Sequence, residues 1–297
     1  MLVDSVVALA RAEPDVLLTV VGPTASGKTA LAVALAERLG GAVISADSVQ
    51  VYRGFDVGSG KPSVEERARA PHFLVDIAEP LEAIDAVRFA TMADTLVSDL
   101  RARGLRPIVC GGTFLWVKAL LQGLAPMPAG DEAVRARHRG LVESEGPLAL
   151  HACLAAVDVV SAARLHPNDV VRVGRALEVF ELTGRPASHW IAEHGFRTVR
   201  HRARLVGLAR APEELTSRIE ARARTMLEDG WIEETRSLLA SGFASARAMG
   251  AVGYRQIRAY LEGQLAEAEL LPSVVRATRI FARKQRTWLG HVEVSWL

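Results

Sequence analysis

The sequence predicts an α/β fold in which helices flank a parallel sheet and an all-helical insertion interrupts it. Three features predict this fold: a glycine-rich loop between a strand and a helix, further short apolar runs separated by helical segments, and a long stretch without strand candidates. The chain has 297 residues, which favours two domains at a prior of ~150 residues per domain. Its 49% hydrophobic and 24% charged residues are typical of a globular protein and exclude a disordered one.

The first strand is predicted at Val16–Val21, an apolar run rich in β-branched residues that Gly22 ends. The Ala/Leu-rich helix Lys28–Leu39 follows and stops at two glycines, so the order is strand, glycine loop, helix. A further helix is predicted at Ala86–Arg103. More buried strands are predicted at Ala42–Ser45, His72–Ile77 and Pro107–Cys110. Strands separated by helices indicate a parallel sheet covered on both faces.

The insertion is predicted where the Pro/Gly-rich segment Gly123–Asp131 ends the α/β pattern, because roughly 65 residues after it have helical character only. Strand and helix signals return at Arg204–Leu208, Pro212–Leu227, Trp231–Leu239 and Val292–Trp296. We therefore predict a first part of the core over residues 1–123, a helical insertion over 124–200, and a second part of the core with basic C-terminal helices over 201–297.

Charge and hydropathy restrict the partners of the chain. The 36 basic and 34 acidic residues leave a net charge of +2, but the basic residues are concentrated in the second half. A solvated helix face usually explains such a cluster, and an extended polyanion would also bind there. No apolar run reaches the ~18 residues that span a bilayer, and Asp4 stands where a secretory signal needs a basic residue. We expect a cytoplasmic protein without a membrane partner.

A phosphate-binding loop is indicated by G-x-x-x-x-G-K-[ST] in the predicted strand-to-helix turn. Its residues are Gly22, Pro23, Thr24, Ala25, Ser26, Gly27, Lys28 and Thr29. The backbone N–H groups and the helix N-terminus bind phosphate oxygens, Lys28 adds a cation, and the Thr29 hydroxyl can hold Mg²⁺. The sheet is therefore predicted to be P-loop NTPase-like. A kinase or NTPase is the default function of such a loop.

Two aspartates follow predicted strands at the edge where ligands bind in parallel sheets. Asp47 is a candidate catalytic carboxylate or a helix N-cap or turn residue. Asp76 is a candidate for ordering Mg²⁺ or, equally, a capping residue. The tight turn Gly111–Thr113 brings backbone and a hydroxyl to the same edge.

Six motifs together resemble the bacterial tRNA dimethylallyltransferases, the IPP transferase family, in order and spacing. They are GPTASGKT, DSVQVYRGFDVGSGKP at Asp47–Pro62, GGT at Gly111–Thr113, HPND at His166–Asp169, RALEVFELTG at Arg175–Gly184 and VGYRQI at Val252–Ile257. The resemblance implies transfer of the dimethylallyl group from dimethylallyl diphosphate to the N6-amine of the adenosine 3′-adjacent to the anticodon, with release of diphosphate. It implies tRNA, through its anticodon stem-loop, as the partner.

The same resemblance implies roles for individual residues. Thr24, the loop amides, Lys28 and Mg²⁺ would stabilise the leaving diphosphate without consuming ATP. Asp47 matches the family's general base. Arg222 matches its diphosphate-binding arginine, although a surface position remained an alternative because Arg218 and Arg224 are close in sequence. The adenosine must leave the anticodon stack, and the amide of Gln50 could read its edge.

The residues that match tRNA-contacting positions of the family lie in both halves of the chain. They are Asp47, Ser48, Val49, Gln50, Thr113, Arg135, Arg172, Arg175, Val252, Gly253, Tyr254, Arg255, Arg283, Lys284, Arg286 and Trp288. Tyr254 and Trp288 could stack on splayed bases or belong to the core. The chain departs from the pattern at Gly250–Ala251, where many relatives have Arg-Cys, and at Gly290, where an arginine is expected, and both changes could lower tRNA affinity.

Three other functions share some of these features. An adenylate isopentenyltransferase shares the loop and the aspartate but needs neither the insertion nor the basic second half. A small-molecule kinase would release ADP, and a non-catalytic RNA-binding module would not need Asp47 beside a phosphate loop. We also expect a monomer, because the sequence has no evident interface signature.

Overall fold

Six parallel strands form one sheet in the computed structural model, which describes residues 2–297. The strands are β1 (Leu17–Val21), β2 (Gly41–Ser45), β3 (His72–Phe73), β4 (Arg106–Gly111), β5 (Ala203–Gly207) and β6 (Ser295–Trp296). Their order across the sheet is β3-β2-β4-β1-β5-β6. Every residue of β1 and β2 is buried, as expected for central strands covered on both faces. The predicted α/β fold is confirmed.

Five helices accompany the first four strands. They are α1 (Leu2–Ala12), α2 (Lys28–Leu39), α3 (Val64–Arg69), α4 (Ala86–Ala102) and α5 (Phe114–Gln122). Helix α1 was not predicted, yet its Val6, Val7 and Ala10 are buried in the same apolar cluster as Leu31 and Leu35 of α2. Their spacing places them on one helix face, so this face completes the core beside the sheet.

The chain divides into two compact units, of which the smaller is Gln122–Val199. It contains α6 (Glu132–Glu145), α7 (Pro147–Val157), α8 (Val159–Arg164), α9 (Val170–Thr183) and α10 (Ala187–His194). Its own apolar core includes Leu150, Leu154, Val173 and Val179. The larger unit comprises the other described residues, and the boundaries lie within two residues of those predicted at 124 and 200.

The larger unit ends with four helices, which β6 follows. They are α11 (Pro212–Glu228), α12 (Trp231–Ala240), α13 (Tyr254–Leu261) and α14 (Glu267–Leu289), with short 3₁₀ segments at Phe243–Ser245 and Arg247–Gly250. Helices α11 and α14 pack together through an apolar cluster that contains Leu215, Ile219 and Ala282. Among the described residues, none of the helices combines the length and apolar character that crossing a membrane requires.

The strand predicted at His72–Ile77 is wrong in length, because β3 ends at Phe73. Leu74 and Asp76 adopt left-handed backbone angles (φ 61° and 58°), which a continuing strand does not allow. The amides of Asp76 and Ile77 instead donate to carbonyls of the segment after Asp47. The backbone therefore leaves the sheet at this point and supports the loop beside the site.

Candidate active site

The loop Gly22–Thr29 joins β1 to α2 at the carboxyl edge of the sheet. Ala25 (φ 64°) and Gly27 (φ 97°) have left-handed backbone angles, which curl the loop and turn its N–H groups inward. A Cβ atom on Gly22 would lie 2.7 Å from Ser26 Oγ, so a larger residue there would displace the Ser26 hydroxyl. Ser26 Oγ is buried and has no hydrogen-bond partner in residues 2–297. The loop thus has a polar group left over for a ligand.

Two partly buried cations, Lys28 and Arg222, line one cavity with this loop. Burial lowers the pKa of the Lys28 ammonium group, and the charge of Arg222 lowers it further. Burial also lowers the pKa of Arg222, while Asp47 opposes this shift. Two positive charges that have lost their hydration favour an anion between them. The pair therefore has the electrostatics of a phosphate site.

The structure distinguishes Arg222 from its neighbours on α11. Arg218 donates from Nε to the carbonyl of Ala25 at 2.8 Å and so braces the loop backbone. Arg224 is exposed and pairs with Glu220 at 3.3 Å. Of the three, only Arg222 lines the cavity that Lys28 and Asp47 share, which we call the main cavity. The surface alternative for Arg222 is therefore wrong.

Asp47 follows β2 and lines the same cavity. Its Oδ1 accepts hydrogen bonds from the amides of Val49 (2.9 Å) and Gln50 (3.3 Å), which fixes the carboxylate in a turn. Its Oδ2 has no hydrogen-bond partner within the described chain. The turn role and the catalytic role are therefore compatible, because they use different oxygens.

The predicted reading of an adenine edge by Gln50 is contradicted by its contacts. Gln50 Oε1 accepts from Ser45 Oγ at 2.9 Å, and Nε2 donates to the carbonyls of Ser59 (3.3 Å) and Gly60 (2.9 Å). All three contacts lie inside the protein, so the amide has little capacity left for a base. Gln50 joins β2 to the loop before Lys61 and still lines the cavity through its remaining surface.

The Gly111–Thr113 turn lies directly against the segment that carries Asp47. A Cβ on Gly111 would lie 2.2 Å from the carbonyl oxygen of Ala46, so the two backbones approach as closely as glycine permits. Thr113 Oγ1 accepts from the amide of Ser48 at 3.1 Å. Thr113 therefore orients the Asp47 segment, in addition to lining the cavity.

Gln285 of α14 was not predicted as a site residue. Its Oε1 accepts from the amide of Thr24 at 2.8 Å, and its Nε2 donates to the carbonyl of Gly112 at 3.0 Å. One buried side chain thus links the phosphate loop to the turn after β4. The only sequence signal was its place inside the basic segment from Arg283 to Gly290.

Glu234 of α12 is a second residue that sequence reasoning missed. Its carboxylate accepts from the amides of Asp56 (2.8 Å), Val57 (2.6 Å) and Gly58 (3.1 Å) and from the hydroxyl of Tyr254 (2.6 Å). These contacts hold the loop after Asp47 against the cavity. No local pattern indicates them, since the partners are far apart in sequence.

Tyr254 and Trp288 pack against other aromatic rings, which supports the core alternative of the two that the sequence left open. Tyr254 is fully buried, with its ring edge-on to Phe55 (centroids 5.0 Å apart) and Trp231 (5.6 Å). Trp288 stacks on Phe114 at 4.3 Å between centroids and 2° between planes. Trp288 is partly buried and packs against the cluster of Val21, Phe114 and Leu289.

The main cavity has a volume of about 460 Å³, within the ~300–1,000 Å³ of small-molecule sites. Its polar residues include Thr24, Lys28, Thr29, Asp47 and Arg222, and its apolar residues include Ile219, Ala223, Met226, Val252 and Phe281. Trp231 also lines it, with a buried Nε1 that has no hydrogen-bond partner in residues 2–297. A ligand with a charged and an apolar part matches this lining.

Arg247 supplies a cation close to the predicted deficit at Gly250–Ala251. It lines the cavity together with these two residues and donates from Nη1 to the carbonyl of Ile84 at 3.4 Å. Of the rest of that segment, Val252 lines the cavity, the Gly253 amide donates to Gln256 Oε1 at 2.8 Å, and Arg255 is exposed.

The three arginines predicted to face tRNA in the insertion are ion-paired. Arg135 and Arg175 both bind the buried Glu178, at 2.9 and 2.5 Å, and Arg172 pairs with Asp169 at 2.6 Å. Burial raises the pKa of Glu178, but hydrogen bonds from Arg175, the Asp131 amide and Arg135 outweigh it and leave that pKa below its ordinary value. Arg135 and Arg175 therefore have a structural role within their own unit.

A magnesium site would depend on few protein ligands. The described residues contain no cluster of three or more His, Cys, Asp or Glu side chains that could hold a metal. The carboxylate of Asp76 is paired with Lys61 and Arg67, so neither predicted role of Asp76 is supported. Thr29 Oγ1 lines the cavity and has no hydrogen-bond partner in the described chain. This fits Mg²⁺, which takes most ligands from water and substrate phosphates.

Two family models match this chain. The IPP transferase family model matches residues 50–291, and the isopentenyl transferase model matches residues 15–79. A tRNA dimethylallyltransferase of Sorangium cellulosum is 61% identical, over 97% of this chain and 92% of that protein. One of Geobacter metallireducens is 46% identical, over 95% of this chain and 92% of that protein.

Solved structures have the same fold. A tRNA isopentenylpyrophosphate transferase of Bacillus halodurans superimposes with a TM-score of 0.70 at 36% identity, over 95% of this chain and 89% of that one. A eukaryotic dimethylallyltransferase acting on tRNA superimposes with a TM-score of 0.77 at 25% identity, over 94% and 73%. The predicted P-loop NTPase-like sheet is thereby confirmed.

Proposed function

The chain belongs to the IPP transferase family and is a prenyl-group transferase, and from that premise we propose the substrates and the roles of its residues. The donor is dimethylallyl diphosphate, and the acceptor is the N6-amine of the adenosine 3′-adjacent to the anticodon of tRNA. One observation supports this most strongly: Asp47 lines the same cavity as Lys28, Arg222 and the phosphate loop. The proposed base, Asp47, and the proposed diphosphate site then act on the same substitution reaction.

In the proposed reaction the N6 nitrogen attacks C1 of the dimethylallyl group while the bond from C1 to the diphosphate oxygen breaks. Lys28, Arg222 and the loop amides stabilise the negative charge on the departing diphosphate. The apolar residues of the cavity surround the five-carbon chain. No ATP is consumed, because the leaving group is already a diphosphate.

Asp47 Oδ2 takes the proton that the amine loses as the new bond forms. The turn that engages Oδ1 holds the carboxylate in place, so base catalysis needs no rearrangement of the side chain. Thr24 and Thr113 position the two loops that meet here. Thr29 would hold Mg²⁺, which when bound would neutralise part of the diphosphate charge. We place this activity in the cytoplasm and in a monomer.

The test supplies labelled dimethylallyl diphosphate with unmodified tRNA, with free AMP, or with ATP. We expect label in tRNA, at the adenosine beside the anticodon, and release of diphosphate. Label in AMP alone would assign the chain to free-nucleotide prenylation, and formation of ADP in step with product would indicate phosphoryl transfer. Either result would contradict the proposal.

A further inference from the structure

Helix α14 has two opposite functional faces. Val274, Thr278, Phe281 and Gln285 line the main cavity. Arg276, Arg279, Arg283 and Arg286 line a separate groove of about 260 Å³ next to α11. With 3.6 residues per turn, the four arginines fall within an arc of ~80° on the side opposite the cavity-lining residues. We call this surface, which Leu215, Thr216, Ile219 and Ile280 also line, the arginine groove.

The four arginines of the groove are exposed, and within residues 2–297 their side chains form no ion pair or hydrogen bond. They carry four positive charges along about three helical turns. Such a row repels itself, and the repulsion is relieved when regularly spaced anions bind. Guanidinium groups also bind phosphate with two parallel hydrogen bonds.

We propose that the arginine groove binds the sugar-phosphate backbone of RNA, through Arg276 and Arg279 as well as the previously implicated Arg283 and Arg286. This inference rests on the proposed function and extends it to a surface outside the cavity. The apolar floor, formed by Leu215, Ile219 and Ile280, gives contact for ribose rings. A strand bound here lies on the same helix that positions Gln285 at the phosphate loop.

An anionic membrane is the other polyanion that an arginine row could bind. Membrane-surface helices expose a wide apolar face to the lipid. In α14 the buried residues are Leu270, Val274, Ala282, Gln285 and Leu289, and the exposed large apolar side chains of this helix are Ile280 and Phe281. The apolar side of α14 is therefore used inside the protein, and RNA is the better match.

The test compares the wild-type chain with the double variant Arg276→Ala/Arg279→Ala. The matched control is Arg224→Ala/Arg236→Ala, which removes two exposed arginines that pair with Glu220 and Glu233. The dissociation constant for unmodified tRNA is measured over a range of KCl concentrations, with Tm as a check on folding. Because each phosphate contact adds about one to the slope of log K against log salt, we expect the double variant to lose about two. We expect an unchanged slope in the control, and a raised KM for tRNA in the double variant alone.

An unchanged salt slope in the folded double variant would overturn the inference. So would an equal loss in the control, or binding of wild type to phosphatidylglycerol vesicles that the double variant loses while its tRNA slope stays intact. Prenylation of tRNA by wild type is measured first. Its absence would overturn the proposed function and this inference together, whereas intact prenylation with an unchanged slope overturns only the groove.

Discussion

In the insertion unit, six of the eight arginine side chains pair with carboxylates of the same unit, whereas the four arginines of the groove on α14 pair with none in residues 2–297. The insertion pairs are Arg135 and Arg175 with Glu178, Arg137 with Glu181, Arg139 with Glu132, Arg172 with Asp169 and Arg185 with Glu193. A paired arginine must exchange a carboxylate for a phosphate, so its net gain is small. An unpaired arginine releases a counterion and gains the full contact.

The number of basic residues in a segment is therefore a poor guide to where an anion binds. Both regions are rich in arginine, but only the local balance of carboxylates decides whether the charge is available. In the cavity, Lys28 and Arg222 are partly buried, and this burial lowers the pKa of both groups. We therefore expect chemistry at the cavity, backbone binding at the groove and structural stability from the insertion arginines.

The largest expected effect is that of Asp47→Asn, which separates chemistry from binding. Asparagine keeps an oxygen that accepts from the amides of Val49 and Gln50. It has an amide nitrogen in place of Oδ2, and this nitrogen cannot take a proton. We expect turnover to fall by ~10²-fold or more, with tRNA affinity nearly unchanged. Single-turnover prenylation and tRNA binding are measured side by side, with Asp56→Asn on the exposed loop as the control. Unaltered turnover would remove Asp47 from the mechanism.

Glu178→Gln tests the structural role of the insertion arginines. The variant replaces a buried carboxylate that pairs with two guanidinium groups by a neutral amide with one acceptor oxygen, and we expect a loss of about 1–3 kcal/mol in the free energy of unfolding, with catalysis intact. Because the folded pKa of Glu178 lies below its ordinary value, the wild-type carboxylate stabilises the fold above about pH 4.5.

That contribution disappears as the pH falls through the lowered folded pKa. The difference in stability between wild type and Glu178→Gln is thus expected to shrink towards zero on acidification. Denaturant unfolding at several pH values measures it, with Glu181→Gln as the partly exposed comparison. A difference independent of pH would argue that the charge of Glu178 contributes nothing.

Gln285→Leu tests the link between α14 and the phosphate loop. Leucine leaves the Thr24 amide and the Gly112 carbonyl without their partner, which loosens the loop. We expect kcat/KM for dimethylallyl diphosphate to fall by ~10-fold, equivalent to about 1.4 kcal/mol, while the salt slope of tRNA binding stays the same. The matched control is Gln264→Leu, whose side chain is exposed and bonds only to Glu262 in the described structure. A loss confined to tRNA affinity would show that Gln285 does not act on the donor site.

The smallest effect is expected for Arg172→Ala. Arg172 is exposed but already paired with Asp169, so we expect it to weaken tRNA binding by a few-fold and to lower the salt slope by less than one. The same titration with Arg279→Ala gives the reference. A larger loss of salt slope for Arg172 than for Arg279 would contradict the inference that unpaired arginines contribute more to RNA binding than paired ones.

The extent of prediction differs between parts of the site. The phosphate loop and Asp47 were found because glycine spacing and the end of a strand are local features that fix the backbone. The role of Gln50 was mistaken, and the choice between stacking and packing stayed open for Tyr254 and Trp288, because the same residue types serve substrate contact or packing. Gln285 and Glu234 were missed because their partners are distant in sequence. Thr24 lies 261 residues before Gln285, and Asp56 lies 178 residues before Glu234.

The strand-loop-helix unit, the interrupted α/β order and the position of Asp47 at the sheet edge could be predicted, because they depend on hydrophobic periodicity and glycine conformation within short segments. The folded chain was needed to show which arginines are free, which of Arg218, Arg222 and Arg224 enters the cavity, and which side chains hold the loops together. Those outcomes depend on the carboxylates and carbonyls that folding brings from distant segments, and a hydrogen-bond partner has no signature in the sequence around either residue.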